Sequence, residues 1–295
     1  MYAVVADEIP YLTPSFGLLS LLSDASFYKF ISDQASGDQQ SIQSVIMVSV
    51  LPEDKTVVII SGTNKGIGLG LLHKYAALPD HIVIGTVLGQ ADEIECIIGT
   101  GSSIIRVEMD VTDVEGPKRA IKELQSRYGI TKLDIAISNA AILTSQAMAR
   151  IEDIDPQAFE DHWRVNVKGN LLFFQACRPL LRAGSKFVFI SSGAGVLDRV
   201  PDRQNVCYGI TKIGATYLAR YAHFEHPELI IFPLWPGWVR TDMGKLTAKH
   251  LGLDDGTVTV SVDESAAGLQ NVINNATRET HSGYVWNYDG TPGKW

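Results

Sequence analysis

The chain has 295 residues and a net charge of −8, long enough for one large domain with a buried core. The acidic balance and the lack of any Lys/Arg cluster argue against a nucleic-acid surface. No apolar run approaches the roughly 18–20 residues of a membrane span.

Residues 1 to about 50 differ in character from the remainder of the chain. They hold Pro10, Pro14, a short apolar patch (FGLLSLL) and a polar stretch (SDQASGDQQSIQS). There is no basic leader region and no small-residue cleavage site, so a signal peptide is not expected. The reading is an N-terminal extension over 1–50, dispensable to a single domain over 51–295.

From Thr56 onwards, apolar runs alternate with amphipathic segments. TVVIISG reads as a buried strand. GTNKGIGLGLLHKYAAL reads as a Gly-rich turn entering a helix. HIVIGTVLG and SIIRVEMDV are the next strands, VEGPKRAIKELQSRYG is helical, and KLDIAISNAA is a fourth strand. Pro156 to Arg182 reads as one long helix, with Phe159, Trp163, Val167, Phe174 and Cys177 near helical spacing. KFVFISS, a helix from about Tyr208, LIIFPLWPG, the helix ESAAGLQNVINNA and the strand GYVWNYDG complete the series. Strands alternating with helices predict a doubly wound, Rossmann-like parallel sheet with helices on both faces.

Gly62, Gly66 and Gly68 follow the first strand and open the first helix. Glycines there let the backbone approach a pyrophosphate, and the helix N-terminus offers N–H groups and positive potential. The spacing GxxxGxG in this context points to a dinucleotide. An NAD-selective site carries a carboxylate near the end of the second strand. This chain has Val87 and Leu88 there, while Lys65 in the loop is placed to meet a 2′-phosphate. NADP(H) is therefore expected over NAD. Asp110, closing the third strand, fits either an adenine contact or ordinary turn chemistry.

Tyr208 and Lys212 stand four apart on a helix, hence on one face. A cation held near a phenol is expected to lower its pKa, making Tyr208 a proton donor or acceptor. Ser191 and Ser192 end the preceding strand and bring hydroxyls towards the same place. The plain alternative is an exposed i,i+4 pair. Three cysteines (Cys96, Cys177, Cys207) without motif spacing suit a reducing compartment, so a cytoplasmic protein is expected. His223 and His226 have no ligand-spaced partner and read as a helix end before Pro227, so no metal is expected.

With both ends read, the chain resembles a short-chain dehydrogenase/reductase from Thr56 onwards. SGTNKGIG resembles that family's TGxxxGIG loop, with Ser61 for Thr and Ile67 between the last two glycines. Asp110-Val111 resembles its adenine-contacting pair, and SNAA, containing Asn139, resembles NNAG. Asn166, Ser192, Tyr208 and Lys212 match the catalytic tetrad. Pro236, Gly237, Val239 and Thr241, in PGWVRTDM, resemble the segment lining the nicotinamide amide. The segment between Ser192 and Tyr208 is a few residues longer than usual, and its VPDRQN is expected to loop over the substrate mouth.

The resemblance implies that Ser192 binds a carbonyl, Tyr208 protonates it, Lys212 holds the ribose, and Asn166 holds a water that relays protons. It implies a homodimer or homotetramer through the helices of Pro156 and Tyr208, with Trp163, Phe173, Phe174 and Tyr217 as apolar surface. The C-terminal portion is most similar to fungal norsolorinic acid ketoreductases and C-factor-like carbonyl reductases. This implies an NADPH-dependent ketoreductase of secondary metabolism acting on a small ketone, with an aromatic polyketide as the implied class. The alternatives are an alcohol dehydrogenase working oxidatively and a non-catalytic dinucleotide-binding protein on the same fold. Retention of all four tetrad positions favours the enzyme.

Overall fold

A computed structural model describes residues 54–90, 95–198 and 205–295. The expectations for the N-terminal extension lie outside these residues. So does most of the VPDRQN loop, of which only Asn205 is described.

Seven parallel strands form one sheet in the order β3-β2-β1-β4-β5-β6-β7. They are β1 (Thr56–Ile60), β2 (His81–Val87), β3 (Ser103–Glu108), β4 (Leu133–Ser138), β5 (Leu181–Ile190), β6 (Ile230–Trp235) and β7 (Trp286–Asn287). All seven runs read as strands from the sequence are present. Their side chains are apolar on both faces because both faces are covered. On one face, Val57, Ile59, Phe187 and Phe189 pack with Leu124, Phe173 and Ala219. On the other, Val58, Ile60, Val188 and Phe232 meet Leu71, Leu72, Ala266 and Leu269.

The first face carries α2 (Gly116–Tyr128), α4 (Gly169–Cys177) and α5 (Val206–Glu225), and the second carries α1 (Gly66–Ala76) and α7 (Val262–Asn275). Between β6 and α7 lies α6 (Asp242–His250), which the hydrophobic pattern does not reveal. The strand order reverses direction at β1, which pairs with β2 on one side and β4 on the other. That switch point opens a crevice at the carboxyl ends of the strands, where such sheets take ligands.

The helix expected from Pro156 to Arg182 is continuous only in outline. It runs as α3 (Pro156–Trp163), a π-helical turn (Arg164–Lys168), α4 and a short 3-10 turn, and by Leu181 the chain is already strand. The π turn carries Asn166. Such bulges insert one surplus residue and cluster at functional sites.

Of the aromatic residues expected on a dimer surface, Phe173 is inside and Phe174 is half-buried against the sheet. Phe173 is fully buried, and Phe174 packs edge-on against Phe187 with ring centroids 4.9 Å apart. Sheet packing claims this face of α4. Trp163 and Tyr217, in contrast, are 44% and 59% exposed. His226 caps the end of α5, as the sequence indicates.

Candidate active site

The Gly-rich loop is a cradle built by contact with β4. Gly62 has φ +72°, and a Cβ on it would stand 3.0 Å from Ala140 Cα. A Cβ on Gly68 would collide with the Gly62 carbonyl oxygen and the Asn139 amide. Neither position accepts a side chain. Ser61 Oγ accepts from the backbone N–H of Asn139 and Ala140 at 2.9 and 3.0 Å. Asn139 Nδ2 returns two bonds, to Ser61 O and Gly62 O. Asn139 therefore braces the loop from behind. The α1 N-terminus has no side-chain cap and no acid in its first turn, so its N–H groups and dipole favour an anion.

This cradle opens into a cleft of about 820 Å³ that runs past Leu88, Asp110, Tyr208 and Lys212 to Pro236 and Thr241. Its size, backbone donors and narrow glycine floor fit a dinucleotide. Asp110 shows its turn role: its Oδ1 accepts from the Thr112 N–H and hydroxyl, both at 2.8 Å. Leu88 is exposed, and among the described residues no carboxylate follows it at that strand end. Lys65 Nζ meets Asp242 at 2.6 Å, with both side chains about three-quarters exposed. A solvated pair of this kind contributes little to stability, so the lysine is free to exchange partners.

The far end of the cleft is held by the PGWVRT segment. Gly237 has φ +81° and lies against Tyr288. Ser265 Oγ donates to Pro236 O at 2.7 Å. Val239 bridges to Val260, and Thr241 caps α6 by accepting from Gly244 N–H. Ile67, on the first turn of α1, lines both this cleft and a second cavity of about 380 Å³, whose wall includes Ser192, Tyr208 and Trp235. Tyr208 stands where the two meet.

The two serines separate in role. Ser191 is buried and shares a 2.5 Å hydrogen bond with Thr216. Ser192 accepts from Ala194 N–H and shares a side-chain hydrogen bond with Tyr208. Lys212 is buried, donates to Ile190 O at 2.8 Å, and places its Nζ 5.3 Å from the Tyr208 ring centroid. The pair is thus interior, contrary to the exposed-pair alternative.

Burial also overturns one expectation. The Tyr208 phenol is pushed up to about 12 by desolvation, only partly offset by the bond to Ser192, rather than lowered by its neighbour. Desolvation pushes the Lys212 ammonium down to about 8. Spacing predicts adjacency correctly, but the charged forms of both groups lose hydration together.

The side chain of Asn166 is committed within the protein. Its Oδ1 accepts from Ile142 N–H at 2.8 Å, and its Nδ2 donates to Ile142 O and Thr211 Oγ1. Thr211 in turn donates to Tyr208 O. Three of the four hydrogen bonds open to a buried amide are spent within the protein. These bonds tie Ile142, in the cleft wall, to Thr211 on the helix of Tyr208.

Sequence reading misses Asn205, Trp235, Trp238, Asp242 and Met243, all of which line one or both cavities. Only Thr241-Asp242, a cap followed by an acid, carries a helix-start signal.

The family model described as short chain dehydrogenase matches residues 56–251. Norsolorinic acid ketoreductase from Dothistroma septosporum is 33% identical over 82% of this chain and 93% of its own length. The enzyme of that name from Aspergillus parasiticus is 30% identical, over 83% and 93% respectively. The solved NADPH-bound carbonyl reductase from chicken fatty liver superposes with a TM-score of 0.70 at 25% identity, over 82% of this chain and 99% of that one.

Proposed function

The chain belongs to the short chain dehydrogenase family, an oxidoreductase of the ketoreductase and carbonyl reductase type, and on that premise we propose that it uses NADPH to reduce an aromatic polyketide ketone in secondary metabolism. The observation that carries the reading is geometric: buried Lys212 sets its Nζ 5.3 Å from the Tyr208 ring, and Tyr208 and Ser192 share the wall of the smaller cavity where it meets the cofactor cleft. A phenol at that place can give a proton to a carbonyl oxygen as the hydride reaches the carbon.

The backbone of Gly62, Gly66, Ile67 and Gly68 would hold the pyrophosphate. Lys65 would meet a 2′-phosphate, Asp110 the adenine and Lys212 the ribose. Pro236, Gly237, Val239 and Thr241 would hold the nicotinamide end. When bound, the reduced nicotinamide supplies the hydride. Ser192 then hydrogen-bonds the carbonyl oxygen of the substrate, and Tyr208 gives that oxygen its proton. Lys212, fixed beside the ring, favours negative charge developing on the phenol, and Asn166 keeps the helix of Tyr208 in register. General acid catalysis contributes roughly 10²–10⁴-fold, and positioning supplies much of the remainder.

The relatives' names and the two aromatic walls of the smaller cavity, Trp235 and Trp238, support the substrate class. The three unpaired cysteines suit a cytoplasmic setting. No described helix is long and apolar enough to cross a membrane. Assembly into a homodimer or homotetramer through α3 and α5 fits the exposed Trp163, Tyr217 and Tyr221.

The test is kcat/KM with NADPH and NADH on hydroxyanthraquinone ketones, in the wild type and in Lys65→Ala. NADPH is expected to be preferred by about tenfold or more, the scale of a charge-assisted contact, with most of that preference lost in the variant. Equal use of both cofactors by the wild type refutes the NADPH assignment.

A further inference from the structure

Beyond β4 the chain leaves the sheet, and residues 139–144 run as an irregular segment along the cleft. Backbone groups in such a segment find partners in side chains or water rather than in a ladder. Ala140 N–H donates to Ser61 Oγ. Ile142 donates its N–H to Asn166 Oδ1 and accepts at its carbonyl from Asn166 Nδ2. Thr144 N–H donates to His162 Nε2 at 3.2 Å. Leu143 lies between these last two anchors. It lines both the cofactor cleft and the smaller cavity, so it stands, like Tyr208, where the two meet. Behind it lies a small apolar cluster of Ala147, Ala158 and Cys207.

His162 lies in α3, four residues before Asn166, and is fully buried. Its Nδ1 stands 2.6 Å from Ala158 O. A carbonyl oxygen only accepts, and an amide N–H only donates. These two partners allow a single neutral tautomer, with the proton on Nδ1 and the Nε2 lone pair turned to Thr144. An apolar side chain would fill the same place with no imidazole to desolvate. What the histidine adds is the grip on Thr144.

We infer that His162 is a positioning residue for the reaction: with Asn166 it suspends Leu143 from both sides and so sets the wall along which nicotinamide and substrate carbonyl are aligned. The inference rests on the ketoreductase reading and adds to it a residue that touches neither ligand. Alignment acts steeply on rate, since a displacement of about 1 Å costs up to about 10²-fold. The glycine cradle holds the other end of the cofactor, so a slack wall lowers kcat more than it weakens NADPH binding.

The experiment uses two amides of different reach on the full chain. The side-chain oxygen of His162→Gln comes close to the place of Nε2 and keeps an acceptor for Thr144 N–H. His162→Asn reaches only as far as Nδ1 and loses that acceptor. Both bury an amide in place of the ring, so their comparison separates the grip on Thr144 from the general cost of the change. With NADPH and 1-tetralone or hydroxyanthraquinone ketones, well below the melting temperatures, His162→Asn should lose about tenfold to 10²-fold in kcat. Its NADPH affinity should stay near that of the wild type, and His162→Gln should recover most of the loss. Exchange of the Thr144 amide, read by NMR, should be slow in the wild type and His162→Gln and fast in His162→Asn. In a Leu143→Ala background, which itself lowers kcat, His162→Asn should cost little more, because both changes act through one contact. If His162→Asn fails to melt cooperatively, His162→Leu, which fills the space without an acceptor, takes its place.

Equal kcat in the wild type and His162→Asn, an equal loss in His162→Gln, or full additivity with Leu143→Ala overturns the inference and leaves the ketoreductase reading intact. If the wild type binds NADPH but reduces no ketone, the ketoreductase reading fails, and the fluorescence of bound NADPH decides for His162. Emission altered in His162→Asn and restored in His162→Gln upholds the inference, and emission alike in all three overturns it. A wild type that does not bind NADPH overturns both.

Discussion

The two ends of the active cleft are built on opposite terms. At the cofactor end several polar groups satisfy one another, although the Thr86 hydroxyl is buried with no partner among the described residues. Ser61 and Asn139 exchange bonds between β1 and β4, and Asn166 spends its amide on Ile142 and Thr211. At the substrate end, Asn205 and Trp235 keep buried polar atoms with no partner among the described residues. A finished network holds its shape before any ligand arrives, which suits a cofactor common to a whole family.

The sharpest way to break this comparison is at the junction. Tyr208→Phe keeps the ring and removes the hydroxyl that meets Ser192. Turnover should fall by at least ~10², while the melting temperature and NADPH affinity hold. A variant with near-normal kcat would show that the proton comes from elsewhere.

Gly68→Ala tests the finished end. The new methyl runs into the Gly62 carbonyl and the Asn139 amide. Overpacking of this kind costs about 1–3 kcal/mol. NADPH affinity should drop along with the melting temperature, read by titration and calorimetry. An unchanged melt would mean that the loop yields, contrary to a preorganised cradle.

The smallest effect is one of stability, at Lys212. Its folded pKa, about 8, lies below the ordinary value of about 10.4. The fold therefore disfavours the charged amine. That cost is fully present below about pH 8 and is relieved as pH rises towards 10. Lys212→Met removes the titration, against about 1 kcal/mol for the lost bond to Ile190 O. Relative to the wild type, the variant should be at its most stable at pH 6–7 and lose ground above pH 8, by about 1–3 kcal/mol. Parallel pH profiles of chemical denaturation for the two proteins would refute the burial account. Turnover should be lost in the variant at every pH.

The sequence carries these features unequally. The strands are legible because buried parallel strands are unbroken apolar runs. The tetrad and the glycine loop are legible because each needs fixed residue types at fixed spacing. The π turn at Asn166 is not, because one surplus residue barely perturbs helical periodicity. Phe173 and Phe174 show the same limit: an aromatic pair on a helix announces an apolar face but not whether a sheet or a second subunit covers it. The Tyr208 pKa is illegible for another reason, since spacing reports neighbours and is silent on dielectric. Asn205 looks like any helix cap, and only the missing cap bond sets it apart.

The place of β1 in the sheet bears on how the chain is made. On the ribosome, Val57 to Ile60 emerge before either neighbour, and the edge that takes β4 waits for Leu133–Ser138 after the residues of β2 are already out. At about 5–20 residues per second, the roughly 70 residues between them take about 4–15 seconds to appear. For that interval a flat apolar edge lies bare, the kind of surface that recruits a wrong strand from another chain. Expression yield should therefore respond to translation speed between Ile60 and Leu133 more than to speed anywhere after β4, and chaperones that shield strand edges should matter most in that window.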